Sequence, residues 1–205
     1  MFDFILPLLG IKTFSIFGFK MRNSLRMRKT FPTIQTAKFT LRQFVDSDLE
    51  NVFLGLSDPA IIKYYGVNYT SLAATKAQMQ WFKELEDTKT GIWWAIVSKD
   101  GAMFYGGIGL NNWSEMHRKA EIGFWLLPAH WGKGLMQEAV ALVCDYAFNT
   151  ANLHRVEAIV ESANENCKKL MDKLHFEYEG TMRDCEIKNG NFISLATYAK
   201  FHQPS

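Results

Sequence analysis

The sequence predicts a mixed α/β domain in which strands outnumber helices, and three observations carry that reading. From Lys38 onward, short apolar or alternating runs give way repeatedly to stretches with helical spacing. One run, Ile92 to Val97, is apolar on both faces, as a strand in the middle of a sheet would be. One long stretch, Lys133 to Asn149, places Met136, Ala139, Val140, Val143 and Ala147 on a single helical face. Neither an internal repeat nor a low-complexity tract interrupts the pattern. A chain of 205 residues, 48% hydrophobic and 21% charged, suits one soluble domain with a short tail.

Taken in order, Lys38 to Gln43 reads as a strand. Asp46-Ser47-Asp48 then offers a cap and an acidic first turn for a helix through Leu56. Ser71 caps a longer helix to Asp87. Ile92 to Val97 turns at Lys99-Asp100-Gly101 into Met103 to Leu110, a hairpin. Lys119 to Leu127 alternates Ile122, Phe124 and Leu126 on one face with Glu121, Gly123 and Trp125 on the other. After the helix of Lys133 to Asn149 come a strand at Val156 to Glu161 and a helix at Glu165 to Leu174. A final hairpin, Phe176 to Ile187 and Phe192 to Phe201, turns at Asn189-Gly190. The sum is about seven strands and about four helices.

The charge balance excludes several classes. A formal charge of +2 lacks the basic footprint of a nucleic-acid binder. Cys144, Cys167 and Cys185 lie far apart with no C-x-x-C pair, which argues against a disulfide framework or thiolate metal site and fits a reducing, cytoplasmic compartment. His117, His130, His154 and His202 show no metal-ligand spacing, so no metal is expected. Residues 1–30 differ from the rest: they carry a local charge of +5 and an apolar run, Phe4 to Ile11, broken by Pro7 and Gly10. That run is too short to span a membrane and lacks the basic start and cleavage site of a signal peptide. A disordered extension is the expectation, with Met21 and Met27 as later starts; an interfacial basic anchor is the alternative.

The most informative stretch is Trp131-Gly132-Lys133-Gly134-Leu135-Met136, between a strand and the long amphipathic helix. Two glycines at a strand-to-helix turn let the backbone approach an anion. The free N–H groups and the dipole of the first helical turn favour phosphate. A lone G-x-G also fits a plain tight turn, and it is neither a P-loop nor a dinucleotide fingerprint. Downstream, Asn164-Glu165-Asn166-Cys167 opens a short helix that ends Lys173-Leu174-His175-Phe176.

Together these stretches resemble the GNAT superfamily of acetyl-CoA-dependent N-acetyltransferases. The first lies where that superfamily has its Q/R-x-x-G-x-G/A pyrophosphate loop, the second where it has N-x-x-S-x-x-L-x-x-K-L-G-F. More narrowly, Phe31 to Arg42, Ala120 to Leu126, Trp131 to Gly134, Gly180 to Arg183 and Lys188 to Phe192 are similar to RimJ/RimL-type enzymes. The likeness runs in order over about residues 31 to 200, so residues 31–205 are expected to form the GNAT domain. Four positions depart from the pattern: Trp131 and Met136 at the ends of the loop, Cys167 for Ser, and His175 for Gly. Met171 stands where many relatives have a tyrosine that protonates the leaving thiolate.

The resemblance implies a GNAT fold, a mostly antiparallel mixed sheet whose strands 120–127 and 155–161 splay apart in a V. The pantetheine arm of acetyl-CoA would pair with the backbone at Phe124, Trp125 and Leu126. The pyrophosphate would rest on Trp131, Gly132, Lys133, Gly134, Leu135, Met136 and Gln137, and Asn164 would touch the cosubstrate. A neutral amine would attack the acetyl thioester directly. Glu121 is the candidate general base, with Glu161 in reserve, and a structural or substrate-binding carboxylate as the bland reading of Glu121. Cys167, at a helix start, is a candidate donor or a thiol of lowered pKa, or else a small buried filler. Trp81 and Trp93-Trp94 read as core or substrate-pocket wall. Acceptor choice falls to the loops near residues 58–72 and 111–117, which show no diagnostic charge cluster. The acceptor amine is the N-terminal α-amine of a protein, ribosomal in type, or else a small amine such as a polyamine, an aminoglycoside or an amino-acid derivative. A non-catalytic acyl-CoA-binding module is the third reading. The expected partners are acetyl-CoA and that amine, with no nucleic acid or membrane, in a monomer or homodimer.

Overall fold

The computed structural model of the chain describes residues 30–203. The basic, apolar stretch 1–29, for which a disordered extension is expected, lies outside that range. The described chain runs β1 (Ile34–Gln35), β2 (Phe39–Gln43), α1 (Leu49–Ser57), α2 (Pro59–Ile62), α3 (Leu72–Thr88), β3 (Ile92–Ser98), β4 (Phe104–Ser114) and β5 (Lys119–Leu126). It continues through α4 (Leu135–Asp145), β6 (Arg155–Glu161), α5 (Glu165–Lys173), β7 (Glu177–Lys188) and β8 (Asn191–Phe201). The strands form one sheet in the order β1-β2-β3-β4-β5-β6-β8-β7. Every neighbouring pair is antiparallel except β5 and β6.

The sheet buries residues on both faces because its central strands are apolar on both. On β3, Ile92, Trp94 and Ile96 enter a core beneath α4 and α5, while Trp93, Ala95 and Val97 enter a second core with α1 and α3. Trp94 is fully buried and donates its indole N–H to the Pro32 carbonyl at 2.7 Å, which ties the entry segment to the sheet. In the second core Phe44 stacks on Phe82 with centroids 4.1 Å apart.

Several boundaries differ from the sequence expectation. Asp48 is not an exposed cap: it is 3% exposed, takes a two-pronged bond from Arg42 at 2.7 and 2.8 Å, and accepts the Val45 N–H. Asp46–Asp48 therefore makes a 3₁₀ turn and α1 starts at Leu49. α2 was not expected; Asp58 caps it and Pro59 begins it. The helix expected through Asn149 ends at Asp145 and runs into a π turn at Tyr146–Thr150. Ser71 does cap α3, its Oγ accepting the Ala74 N–H at 3.2 Å. β7 forms the outer edge, almost wholly exposed, and its register against β8 breaks twice.

Candidate active site

The one parallel pair shapes the site. β5 and β6 are in register only at Lys119↔Arg155, Ala120↔Val156 and Glu121↔Glu157, although both strands continue beyond. Past Glu121 they part, each keeping its other neighbour. The Leu127 N–H donates to the Tyr105 carbonyl on the β4 side, so alternation turns the peptide groups of Phe124 and Leu126 into the gap. The Leu126 carbonyl is already engaged: the indole N–H of Trp131 donates to it at 2.7 Å. Phe124 leaves both its peptide groups toward the gap. Trp125 points the other way, 3% exposed, against Gly55 of α1 and Phe104. Only its backbone, not its side chain, lies near the splay.

From Leu127 the chain passes through a 3₁₀ turn at Pro128–His130 into the glycine turn. Gly132 and Gly134 have φ values of 72° and 73°, the left-handed region that glycine enters without strain, and a Cβ on either would meet nothing within 4 Å. The open space and the turn together leave the backbone bare. Gly134 precedes α4 without any side-chain cap, and the first helical bond runs from the Glu138 N–H to the Gly134 carbonyl. The N–H groups of Leu135, Met136 and Gln137 are thus directed out of the helix end. Leu135 is buried and Met136 packs on the core, so both contribute backbone alone. Lys133 donates its ammonium to the Ala129 carbonyl at 2.8 Å.

Glu121 stands at the last paired rung before the gap. Its Oε2 accepts from Asn112 Nδ2 at 2.9 Å, and Oε1 has no partner among the described residues. Burial chiefly, and then the charges of Tyr69 and Glu121, raise the pKa of the Tyr65 phenol. The neighbouring Glu157 is occupied differently, bonded to Arg155 at 2.7 Å and Lys119 at 3.1 Å. Glu161, the reserve base, is also engaged: it lies paired with Lys188, whose ammonium reaches the Lys63 carbonyl as well.

Across the gap, Asn164 caps α5, its Oδ1 accepting the Cys167 N–H at 3.1 Å. Cys167 packs against the core, and burial pushes its thiol up to about 12. The lowered pKa that a helix start would favour is overturned by that burial. Met171 is fully buried. His175 adopts φ 57°, the left-handed conformation that the usual glycine supplies without strain, so the turn is kept at a cost.

A model of the acetyltransferase (GNAT) domain matches residues 38–177 of this chain. The chain belongs to the GNAT acetyltransferases. It is 35% identical over 170 residues to the uncharacterized N-acetyltransferase YoaA of Bacillus subtilis (strain 168), covering 82% of this chain and 96% of that one. Solved structures share the fold. One is the acetyltransferase from Salmonella typhimurium that modifies the N-terminal serine of ribosomal protein L7/L12 (TM-score 0.76, 23% identity, 84% of this chain and 100% of that one). Another is spermidine N-acetyltransferase from Vibrio cholerae in complex with CoA and spermine (TM-score 0.72, 20% identity, 81% and 96%). The left-handed glycines, the uncapped start of α4 and the free peptide edge of Phe124 fit acetyl-CoA as the cosubstrate of this GNAT domain.

On the Glu121 face of the GNAT sheet, α3 and the loop after α2 border an open cleft of about 480 Å³. Tyr65, Tyr69, Gln78, Trp81 and Glu84 line it. The loop at 58–72 was expected to shape acceptor choice, and it supplies the two tyrosines. Gln78 and Glu84 were not singled out, because on α3 they read as ordinary members of an amphipathic helix. Trp81 meets Trp93 edge-on at 5.6 Å, and Trp93 lies over Gly109 of β4 and Gly123 of β5, the strand that carries Glu121.

Proposed function

We propose that this GNAT enzyme transfers the acetyl group of acetyl-CoA to the N-terminal α-amine of a protein or peptide, in the manner of the RimJ/RimL-type enzymes. The observation that carries the reading is the chemistry of the cleft on the Glu121 face of the sheet. Its walls are aromatic and amide, and Glu84 is the one carboxylate among its lining residues. A polyamine, with several cations along a bare alkyl chain, calls for several carboxylates to hold it; a peptide calls for apolar walls and amide partners.

Glu121 is the proposed general base. An α-amine, with pKa about 8, gives up its proton to a carboxylate far more readily than a lysine at about 10.4, so a modest base suffices. One oxygen of Glu121 is fixed by Asn112, which leaves Oε1 to take the proton. The Phe124 N–H is the proposed donor to the carbonyl oxygen as it gains charge. Acetyl-CoA, when bound, supplies an activated acyl group on a thiol that leaves readily. The backbone of Gly132 to Gln137 is assigned to its pyrophosphate, Phe124 and Leu126 to its pantetheine arm, and Asn164 to contact from across the gap. A thiol held near 12 cannot hand its proton to a thiolate of pKa about 8.5 with any advantage, so Cys167 acts here as a neutral hydrogen-bond donor.

The test is coenzyme A release from acetyl-CoA, with mass detection of product, against peptides bearing free α-amines, polyamines and aminoglycosides. Acetylated peptide α-amines are the expected result. Acetylation of small amines alone would move the acceptor to the spermidine type. Tight acetyl-CoA binding with no product would indicate a binding module.

A further inference from the structure

The cleft is lined by an amide with one end left open to it. Gln78 lies on the inward side of α3 at 5% exposure, yet it lines the cleft. The Tyr69 hydroxyl meets one end of its amide, donating to Oε1 at 3.1 Å. Among the described residues the other end has no partner. A hydroxyl can donate or accept, so either orientation of the amide leaves one end open to the cleft. Phe82, one turn further along α3, belongs to the apolar core, which an apolar side chain at position 78 would simply extend. Here the sequence places an amide, and a tyrosine to orient it.

The surroundings specify what that amide faces. Tyr65 and Trp81 form flat apolar walls; Trp81 meets Trp93, which lies over Gly123, and Gly123 shares a face of β5 with Glu121, so the cleft opens on the face that carries the proposed base. A molecule whose amine is held at Glu121 therefore extends over that face, along the Trp81 wall, toward Gln78. We infer that Gln78 is a specificity-determining residue: its open amide end pairs with the first peptide group of the acceptor, and Tyr69 is the positioning residue that fixes its orientation. This rests on the reading that the acceptor is a peptide α-amine, and it adds the group that distinguishes such an acceptor from a bare alkylamine. A site built to hydrogen-bond a substrate group discriminates against the analogue lacking it, because its own polar atoms are then left unpaired.

The experiment compares two acceptors on the full chain: an alanyl tripeptide, and isopropylamine, which carries the same amine and methyl group without the peptide. The ratio of their kcat/KM values cancels the difference in amine basicity when variants are compared. Gln78→Leu and Gln78→Glu are each expected to lower the peptide-to-amine ratio roughly tenfold, and Tyr69→Phe roughly threefold. Thermal melting checks that each variant is folded; Tyr69→Phe, at the edge of the cleft, serves should the buried substitutions disrupt α3. A ratio within about twofold of wild type in folded variants overturns the assignment of Gln78 while peptide acetylation stands. Acetylation of isopropylamine or spermidine, but not of the tripeptide, by the wild-type enzyme overturns the acceptor class and the role of Gln78 together.

Discussion

The indole of Trp93 rests on two glycines, and adding a single methyl group beneath it should be felt at the acceptor cleft. Gly123 of β5 lies opposite Gly109 of β4. A Cβ on Gly123 would stand 2.8 Å from Cζ2 and 2.9 Å from Cη2 of Trp93. Ordinary carbon–carbon contact begins near 3.5 Å, so Gly123→Ala must lift the outer ring by about 0.7 Å. The ring has little room, being 2% exposed and set against Trp81 and Phe82 at centroid distances of 5.6 and 5.5 Å. Overpacking of this kind costs about 1–3 kcal/mol. For a domain of this size that lowers the melting temperature by about 2–12 °C. Because Trp81 lines the cleft, the acceptor KM should rise with that of acetyl-CoA little altered. Phenylalanine lacks the outer indole atoms, so a double-mutant cycle isolates the contact: in a Trp93→Phe background Gly123→Ala should cost at least about 0.5 kcal/mol less. Calorimetric or denaturant unfolding of the four proteins supplies the numbers. Additivity within about 0.3 kcal/mol would show that the new methyl does not press on Trp93, and the reasoning would fail.

Three further outcomes are expected. Glu121→Gln should reduce kcat/KM about 10²-fold or more with acetyl-CoA binding retained; a loss under about tenfold returns Glu121 to a structural role. His175→Gly should raise stability by about 1 kcal/mol, measured by urea unfolding, since glycine adopts the left-handed φ of 57° without strain; a neutral or destabilising result would mean the imidazole makes compensating contacts. Burial tends to raise the pKa of Glu157, but its bonds from Arg155 and Lys119 outweigh that and hold it below the usual carboxylate value. A folded-state pKa below the unfolded one contributes stability above the usual carboxylate range, and this is lost as pH falls through the folded value. Glu157→Gln should therefore melt below wild type at pH 7, with the gap closing in acid. A gap independent of pH would contradict the ion-pair account.

Most of the fold was legible because its signals are local. The apolar run of β3, the Ser71 cap and the Asn189-Gly190 turn each declare an element within a few residues. The order of the motifs declared the family and, with it, the splay. Boundaries failed where tertiary contacts took over: Arg42 drew Asp48 into the protein, and a bulge between Asn111 and Ser114 carried β4 past its expected end. Asp58-Pro59 was a readable cap for α2 that a four-residue helix made easy to pass over. Within the site, the glycine turn was legible since φ is a property of the residue. The side chains around it were not. Trp131 closing on the Leu126 carbonyl, Lys188 reaching Glu161, and Tyr69 orienting Gln78 join positions that no spacing rule relates.

The outer edge of the sheet has a consequence for solubility. Among the described residues β7 is a twelve-residue strand paired on one side only, and it exposes Tyr178, Met182 and Ile187, with Phe192 beside Ile187 on β8. A flat strand of that length and content would template the addition of another chain. Its register breaks between Tyr178 and Gly180 and again between Met182 and Glu186, and Gly180 and Asp184 adopt φ values of 148° and 49°. Each break bends the strand and throws its free peptide groups out of line. Glu179, Arg183 and Asp184 add charge along the same edge. The irregularities thus keep an exposed apolar edge from stacking with its own copies, and a straightened β7 would be the strand on which this protein aggregates.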